Sequence, residues 1–600
     1  MSVVRIGIGQ INTRVGDFEG NVEKIIKVIS EAGDSGVDLL VFPEMAVTGY
    51  PPSDLLFRGS FIKASSDAMN AVAKKVRRKN LVVIAGGIEV TDSIYNAAAV
   101  IHRGKIRGWA RKRYLFCCGS FDETRYFSSG ERAFVIDSGR FRTVVTLGDD
   151  LGYPVFPGDV QLLVNLWNDP FHYGHRPVKE RMMTDRSREE AVGIVIASPV
   201  GGEDSMIFEG SSMVLDGFGD LAARGTAFKE DLVLADLDIR EIKTHRERIF
   251  HVSGPRSSKL DKARVLELDW KPPENKKEID ANGSIASLKK GPDELYTALV
   301  TATRDFVNKN GFEKVFIGIS GGIDSALIAS IACDALGQKN VTAVSMPAPY
   351  TSKETRDDAK RVSTNLGIKF MEIPISNTFR SIMNTLAPTF EGYESDTTEE
   401  NLQPRIRSQI LMALANKFGA MVLATSNKSE AATGYFTMYG DGTGAFAPLI
   451  DVYKTQVYEI SAWLNESRGR EVIPESTIHR PPTAELKPGQ VDQDVLPPYK
   501  DLDRILKNFL EEGWSVSELI NKGEDRALVE KIMCMLMDTE FKRRQAPFGP
   551  TVSERPLSDL RIPITKRTGW WFEGKGSCAH PGLGGTQKAS KRKKTGKNKK

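Results

Sequence analysis

VFIGISGGIDS (Val315–Ser325), continued by ALIASIACDA (Ala326–Ala335), is the stretch whose reading decides the fold. An apolar run, Val315-Phe316-Ile317, leads into Ser320-Gly321-Gly322, and Asp324 and Ser325 then open a helix. Glycines let backbone approach a ligand closely, and a helix N-terminus presents unpaired N–H groups at the positive end of its dipole. Strand, glycine turn and helix start together read as a cradle for pyrophosphate. No Gly-Lys-Ser/Thr follows at the Walker spacing. Two glycines alone would be an ordinary turn; the order Ser320, Gly321, Gly322, Asp324, Ser325 between strand and helix carries the reading.

The flanking sequence supplies the rest of a layered domain. Gly291-Pro292-Asp293-Glu294 opens a helix with Pro at an early position and acids in its first turn. Leu295, Ala298, Leu299, Ala302 and Phe306 form its apolar stripe, which reads as core. Asn340–Ser345 is a strand, Glu354–Leu366 a helix and Ile368–Ile373 a further strand. Repeated strand–helix units predict a doubly wound parallel sheet, whose ligands sit at the carboxyl ends of the strands.

Six hundred residues are too many for one core and predict two to four domains. Apolar residues at 40% and charged residues at 27% suit a globular protein in water, and no apolar run approaches the ~18 residues of a membrane span. MSVVRIGIGQINTRVGD reads as a strand rather than a secretory signal. Five cysteines, Cys117, Cys118, Cys333, Cys534 and Cys578, show no paired metal spacing and suit a reducing cytoplasm. The net charge of +4 hides an asymmetry: KRKKTGKNKK at the end holds seven basic residues, which leaves −3 for the rest. That basic tail, within a segment 569–600 expected to be disordered, makes nucleic acid an unlikely specific partner and allows at most a non-specific polyanion contact.

Residues 1–263 show a second α/β pattern. Val3–Ile11, Val37–Phe42, Leu81–Ala85, Ala98–His102 and Arg142–Leu147 are strand candidates, and Asn21–Ala32 has helical spacing. Asp269–Lys290, rich in Pro, Lys, Asn and Ser, reads as an exposed linker, so the expected divisions are 1–263, a linker 264–290, and a second domain 291–568.

Particular blocks in 3–250 resemble the nitrilase (carbon–nitrogen hydrolase) family, an α-β-β-α sandwich. That chemistry uses a Glu, a Lys and a Cys at three strand ends: the thiolate attacks an amide, the Glu moves a proton, and the Lys stabilises the oxyanion. Glu44 in LLVFPEMAVTGYP matches the Glu, and Lys112 in KRYLFCCGSFDETRYF matches the Lys. The nucleophile is missing. VVTLGDDL places Gly148 where the Cys of the family stands, and glycine has no side chain to ionise or acylate. Positions that in glutamine-using members hold a Tyr, a Ser and a basic residue correspond here to Cys118, Asp169 and His175. An Asp near an amino-acid carboxylate would repel it. The resemblance therefore implies a kept fold with a vestigial glutaminase site. Cys117 and Cys118, on the Lys-bearing loop, read as structural thiols rather than substitutes.

The loop at Ser320–Ser325 resembles that of the ATP pyrophosphatase group, which cleaves ATP to AMP and pyrophosphate. Four further blocks narrow the likeness over 290–565 to the NAD synthetase family: ENLQPRIR (400–407), LATSNKSEAATGYFTMYGDGTGAFAPLIDVYKTQV (423–457), RPPTAELKPGQVDQD (480–494) and EFKRRQAP (540–547). A nitrilase-like domain in front is also the arrangement of the family's two-domain, glutamine-using members. Carried over by position, the resemblance implies that Ser320, Gly321, Gly322, Asp324 and Ser325 hold ATP phosphates, with Thr425, Lys454 and Thr483 also contacting ATP. Asp324 and Glu430 would ligate Mg²⁺. Asn401 and Arg405 would hold deamido-NAD, and Lys542 would reach its phosphates or its acyl end. Single-domain, ammonia-using members have a Lys at the position of Met438 and an Asp at that of Ala445, so dinucleotide contacts here are expected to differ.

The implied reaction is amidation of deamido-NAD by ammonia at the expense of ATP, through an acyl-adenylate, giving NAD, AMP and pyrophosphate. With Gly148 in place of the thiol, the expectation is dependence on free ammonia in a cytoplasmic homo-oligomer. Three alternatives stay open: a glutamine-using enzyme with another nucleophile, a different ATP-pyrophosphatase amidase or thiolase, and a non-catalytic nucleotide-binding scaffold.

Overall fold

The computed structural model describes residues 3–76, 80–117, 121–152, 160–253, 263–270, 285–483, 485–487 and 489–566. The chain divides into two units, Met1–Lys290 and Gly291–Lys600.

The first unit holds two sheets. Across the six-stranded one the order is Asp231–Asp238, Val3–Gln10, Leu39–Val41, Val82–Val90, Ile94–His102, Lys105–Arg111. The seven-stranded one runs Leu221–Arg224, Met213–Leu215, Gly193–Ala197, Leu162–Leu166, Arg142–Leu147, Phe134–Asp137, Arg264–Glu267. Alternation with period two sorts each strand. Val4, Ile6 and Ile8 join Leu39, Val41, Val82 and Ile84 and meet Val145, Leu147, Leu162 and Val164 of the other sheet in one buried cluster. The opposite face of the first sheet is covered by helices Phe18–Asp34 and Gly59–Lys75, through Ile25, Ile29, Met69 and Val72. The opposite face of the second is covered by helix Arg176–Glu190 through Met183. The unit is an α-β-β-α sandwich.

One boundary needs correction. The expected linker 264–290 begins inside this unit: Arg264–Glu267 pairs in parallel with Phe134–Asp137. Trp270 is buried, and its indole N–H donates to the Asn80 carbonyl at 3.0 Å. The Pro, Lys and Asn that follow masked a short strand and one large anchor. Residues 271–284 and the expected tail lie outside the described residues.

The second unit is built on a four-stranded, all-parallel sheet in the order Lys369–Glu372, Val341–Ser345, Val315–Gly318, Met421–Leu423. The chain starts at Val315–Gly318, winds outward on one side, then returns to add Met421–Leu423 on the other. The loop after Val315–Gly318 therefore leaves the sheet at the topological switch point. Helix Pro292–Lys309 starts with Pro in its first turn, followed by Asp293 and Glu294. One face of the sheet packs on helix Thr397–Phe418 through Phe316, Val344, Ile406, Leu411 and Val422. A separate helical core joins Tyr499–Leu510, Val516–Asn521 and Arg526–Asp538 to the short helix Lys428–Thr433. Among the described residues no helix is long and apolar enough to cross a membrane.

Candidate active site

The strand Val315–Gly318 ends in the loop Ile319–Gly322, and helix Ile323–Leu336 starts at once with Gly322 as its N-cap and no side chain capping it. Its first N–H groups are left for a ligand. Within the loop, Ser320 Oγ accepts from Gly322 N at 3.1 Å, and Ser325 Oγ donates to the Gly322 carbonyl at 2.9 Å. Gly321 has φ +84°, and a Cβ there would stand 2.2 Å from the Thr355 carbonyl oxygen. Only glycine fits. The loop forms the floor of a cleft of about 260 Å³.

The cleft gathers Ser320, Gly321, Gly322, Asp324 and Ser325 with Thr425, Glu430, Lys454 and Thr483. Lys454 opens helix Lys454–Arg468 and is buried. Its ammonium lies between two carboxylates, bonded to Asp324 Oδ2 and 3.3 Å from Glu430 Oε1. Glu430 comes from helix Lys428–Thr433, capped by Asn427, whose Oδ1 accepts from Glu430 N at 3.0 Å. Burial, reinforced by the Asp324 charge and opposed by Lys454, pushes Glu430 up to about 8. The two carboxylates raise Lys454 despite its burial.

These residues suit Mg²⁺. Asp324 and Glu430 are hard oxygen donors already arranged about one cation, the ammonium of Lys454. Among the described residues no set of three or more His, Cys, Asp or Glu side chains forms a metal site of its own. A metal here would need phosphate oxygens and water to fill its shell, which is how Mg²⁺ is usually held beside a nucleotide.

Asn401, Arg405 and Lys542 are not brought to the cleft wall. They bond residues 434–438 instead, Arg405 and Lys542 at backbone carbonyls and Asn401 at the Thr437 hydroxyl. Asn401 Oδ1 accepts from Thr437 Oγ1 at 2.8 Å, Arg405 Nε donates to the Met438 carbonyl at 3.3 Å, and Lys542 Nζ donates to the Gly434 and Phe436 carbonyls at 2.8 and 3.1 Å. Burial lowers the Lys542 ammonium, with Asp441 opposing. Ala445 N donates to the Val422 carbonyl, as part of the cleft's backbone frame. The cleft also holds Arg407, Asp441 and Asp492, to which sequence reading gave no role. Arg407 is lowered by burial and faces Asp441 and Glu485; Asp441 is raised by burial. Their signal was present in the RIR, YGDG and VDQD segments, but a charge within a motif does not show which way it points.

In the first unit, three strand ends converge. Glu44 follows Leu39–Val41, Lys112 follows Lys105–Arg111, and Gly148 follows Arg142–Leu147. Lys112 Nζ bonds Glu44 Oε1 at 2.9 Å and Glu123 Oε2 at 2.8 Å, with all three side chains buried. Asn96 Nδ2 donates to both carboxylates, to Glu123 Oε1 at 2.9 Å. Burial and the Glu44 charge push Glu123 up to about 7. Gly148 has φ +52°, and a Cβ built on it would lie 2.7 Å from Lys112 Cε and Nζ and 3.8 Å from Glu44 Oε2. Glu44, Lys112 and the strand end at Gly148 are thus brought together. Glu123, quoted in the resemblance but given no role, is the fourth member. Asp169 pairs with Lys179, His175 stands at the start of helix Arg176–Glu190, and Cys117 is exposed; Cys118 lies outside the described residues.

Comparison with known proteins agrees with both halves. A family model described as NAD synthase matches residues 295–546, and one described as carbon-nitrogen hydrolase matches residues 5–247. A glutamine-dependent NAD(+) synthetase from Thermotoga maritima is 43% identical over 580 residues, covering 94% of this chain and 99% of its own. One from Aquifex aeolicus is 40% identical over 576 residues, covering 94% of this chain and 100% of its own. The solved structure of glutamine-dependent NAD+ synthetase from Acinetobacter baumannii, in complex with ADP, superposes with a TM-score of 0.69 at 34% identity, covering 94% of this chain and 98% of that one. A two-sheet sandwich with a nitrilase-type constellation, a phosphate loop at a switch point, and relatives matched end to end place the chain in the family of glutamine-dependent NAD(+) synthetases.

Proposed function

We propose that the chain forms NAD by ATP-dependent amidation of deamido-NAD, with free ammonia rather than glutamine as its nitrogen source. It is a carbon–nitrogen ligase. The ADP in the solved A. baumannii relative supports ATP as co-substrate, and the cleft around Ser320–Ser325 supports the place where it binds.

The nicotinate carboxylate of deamido-NAD attacks the α-phosphorus of ATP, forming an acyl-adenylate and releasing pyrophosphate. The free N–H groups of helix Ile323–Leu336 and the Lys454 ammonium face the departing charge. Asp324 and Glu430 would hold Mg²⁺, which would supply neutralisation of the phosphates. Thr425 and Thr483 position the nucleotide from the cleft wall. Arg405 and Lys542, through backbone carbonyls, and Asn401, through the Thr437 hydroxyl, hold the 434–438 segment, which in this reading faces the dinucleotide. Ammonia then attacks the acyl carbon, and AMP leaves as NAD and a proton form. That step needs neutral ammonia and a site closed to water.

One observation carries the choice of nitrogen source. At Gly148 there is no side-chain atom, and the Lys112 ammonium lies 2.7 Å from where a Cβ would be. The relatives' names favour the second reading, glutamine use through a different nucleophile. Purified protein with ATP, Mg²⁺ and deamido-NAD, supplied with ammonium or glutamine, separates the two. Ammonium alone is expected to give NAD; equal rates from glutamine would decide for the second reading. No NAD from either would favour a nucleotide-binding scaffold.

A further inference from the structure

Asn427 caps the helix Lys428–Thr433 and its side chain is buried. Both ends of its amide are used. Oδ1 accepts from the Glu430 backbone N–H at 3.0 Å, and Nδ2 donates to Asp324 Oδ1 at 3.0 Å. Its own N–H lies 3.5 Å from Glu430 Oε2. Lys454 takes the remaining oxygens, Asp324 Oδ2 and Glu430 Oε1. Asp324, Asn427, Glu430 and Lys454 therefore close a ring in which each carboxylate is held at both of its oxygens.

The two ties differ in kind. Lys454 carries a positive charge and competes with any cation that enters between the carboxylates. Asn427 is neutral, so its bond to Asp324 survives that exchange. An amide can donate to one carboxylate while accepting from the backbone that carries the other; a hydroxyl cap can accept from the backbone but is too short to reach across. Two buried carboxylates facing one another repel, and a neutral tie to one of them limits how far it can turn away.

We infer that Asn427 is the positioning residue of the metal-and-phosphate end of the cleft, fixing how Asp324 faces Glu430 without itself touching nucleotide. This rests on the reading of Asp324 and Glu430 as the Mg²⁺ ligands. Partners one bond removed from a metal typically change its affinity by about 10- to 100-fold when lost.

The test is a Mn²⁺ titration followed by electron paramagnetic resonance, on the full chain with a non-hydrolysable ATP analogue. Wild type, Asn427→Ser and Asp324→Asn are compared, each with its melting midpoint. Serine keeps a capping oxygen for Glu430 N–H and removes the donor to Asp324. If serine unfolds the domain, Asn427→Thr, with the same oxygen and more bulk, replaces it. The expected result is Mn²⁺ binding about 10-fold weaker in Asn427→Ser, with the midpoint kept and the KM for deamido-NAD unchanged while kcat falls. Wild-type Mn²⁺ affinity in Asn427→Ser beside weakened binding in Asp324→Asn overturns the inference alone. So does a loss of binding that only follows a fall in the midpoint. Wild-type affinity in Asp324→Asn removes the ligand assignment, and the inference goes with it.

Discussion

Gly148 ends a strand in a left-handed backbone conformation, φ +52°, beside a lysine pinned by two glutamates. A side chain there adds two costs. A non-glycine residue in that region costs about 1–2 kcal/mol, and the Lys112 tip must shift within its buried ion cluster to make room. Gly148→Cys is expected to lower stability by about 1–3 kcal/mol and to leave glutamine use at least about 100-fold below ammonium use. Chemical denaturation and the two-donor assay read these. Glu430 gives a second prediction. Its folded value, about 8, lies above the ordinary glutamate value of 4.5, so between the two the folded chain holds a proton that the unfolded chain has released. The stability this group contributes is complete below about 4.5 and is lost as pH rises through about 8. Without nucleotide, the protein is expected to lose stability between pH 6 and 8, read by urea titration at both values. Such a shift was not legible beforehand. Glu430 stood in a quoted motif, but its burial depends on three segments that sequence does not bring together.

At the scale of elements, the phosphate loop is the most constrained piece. Gly321→Ala would drive a Cβ to 2.2 Å from the Thr355 carbonyl, at φ +84°. The loop or helix Lys353–Leu366 must shift, at a cost of about 1–3 kcal/mol, and the KM for ATP is expected to rise by at least about 10-fold while the first unit's melting is unchanged. The helix near Glu354–Leu366 was readable because its buried positions recur at helical spacing, and the strand Arg142–Leu147 because it is a short β-branched, apolar run. The doubly wound sheet followed from their alternation. Arg264–Glu267 was hidden because a four-residue edge strand beside prolines carries too few alternations. Asn427 was hidden for another reason: a capping amide looks the same in sequence whether or not it reaches across to a second element.

The whole molecule is two units, each with its own buried clusters. Calorimetry with and without the Mg–ATP analogue is expected to raise the melting of the second unit and leave that of the first. With ligand at about 100 times its Kd the gain is about 2.7 kcal/mol. In the first unit the buried Lys112 has both carboxylates, Glu44 and Glu123, as partners, and breaking that cluster costs about 3–5 kcal/mol.

The ammonium of Lys454 between Asp324 and Glu430 has one more consequence, for chelators. Many sites that gather carboxylates fall apart when stripped of metal, because the charges are left facing each other. Here the chain carries its own counter-ion. EDTA is expected to stop NAD formation yet leave the thermal midpoint within about 1 °C, since removing a metal that arrives with the nucleotide leaves the Lys454 ammonium between the two acids. A metal held there would be a visitor that comes and goes with each turnover rather than a fixture of the folded state.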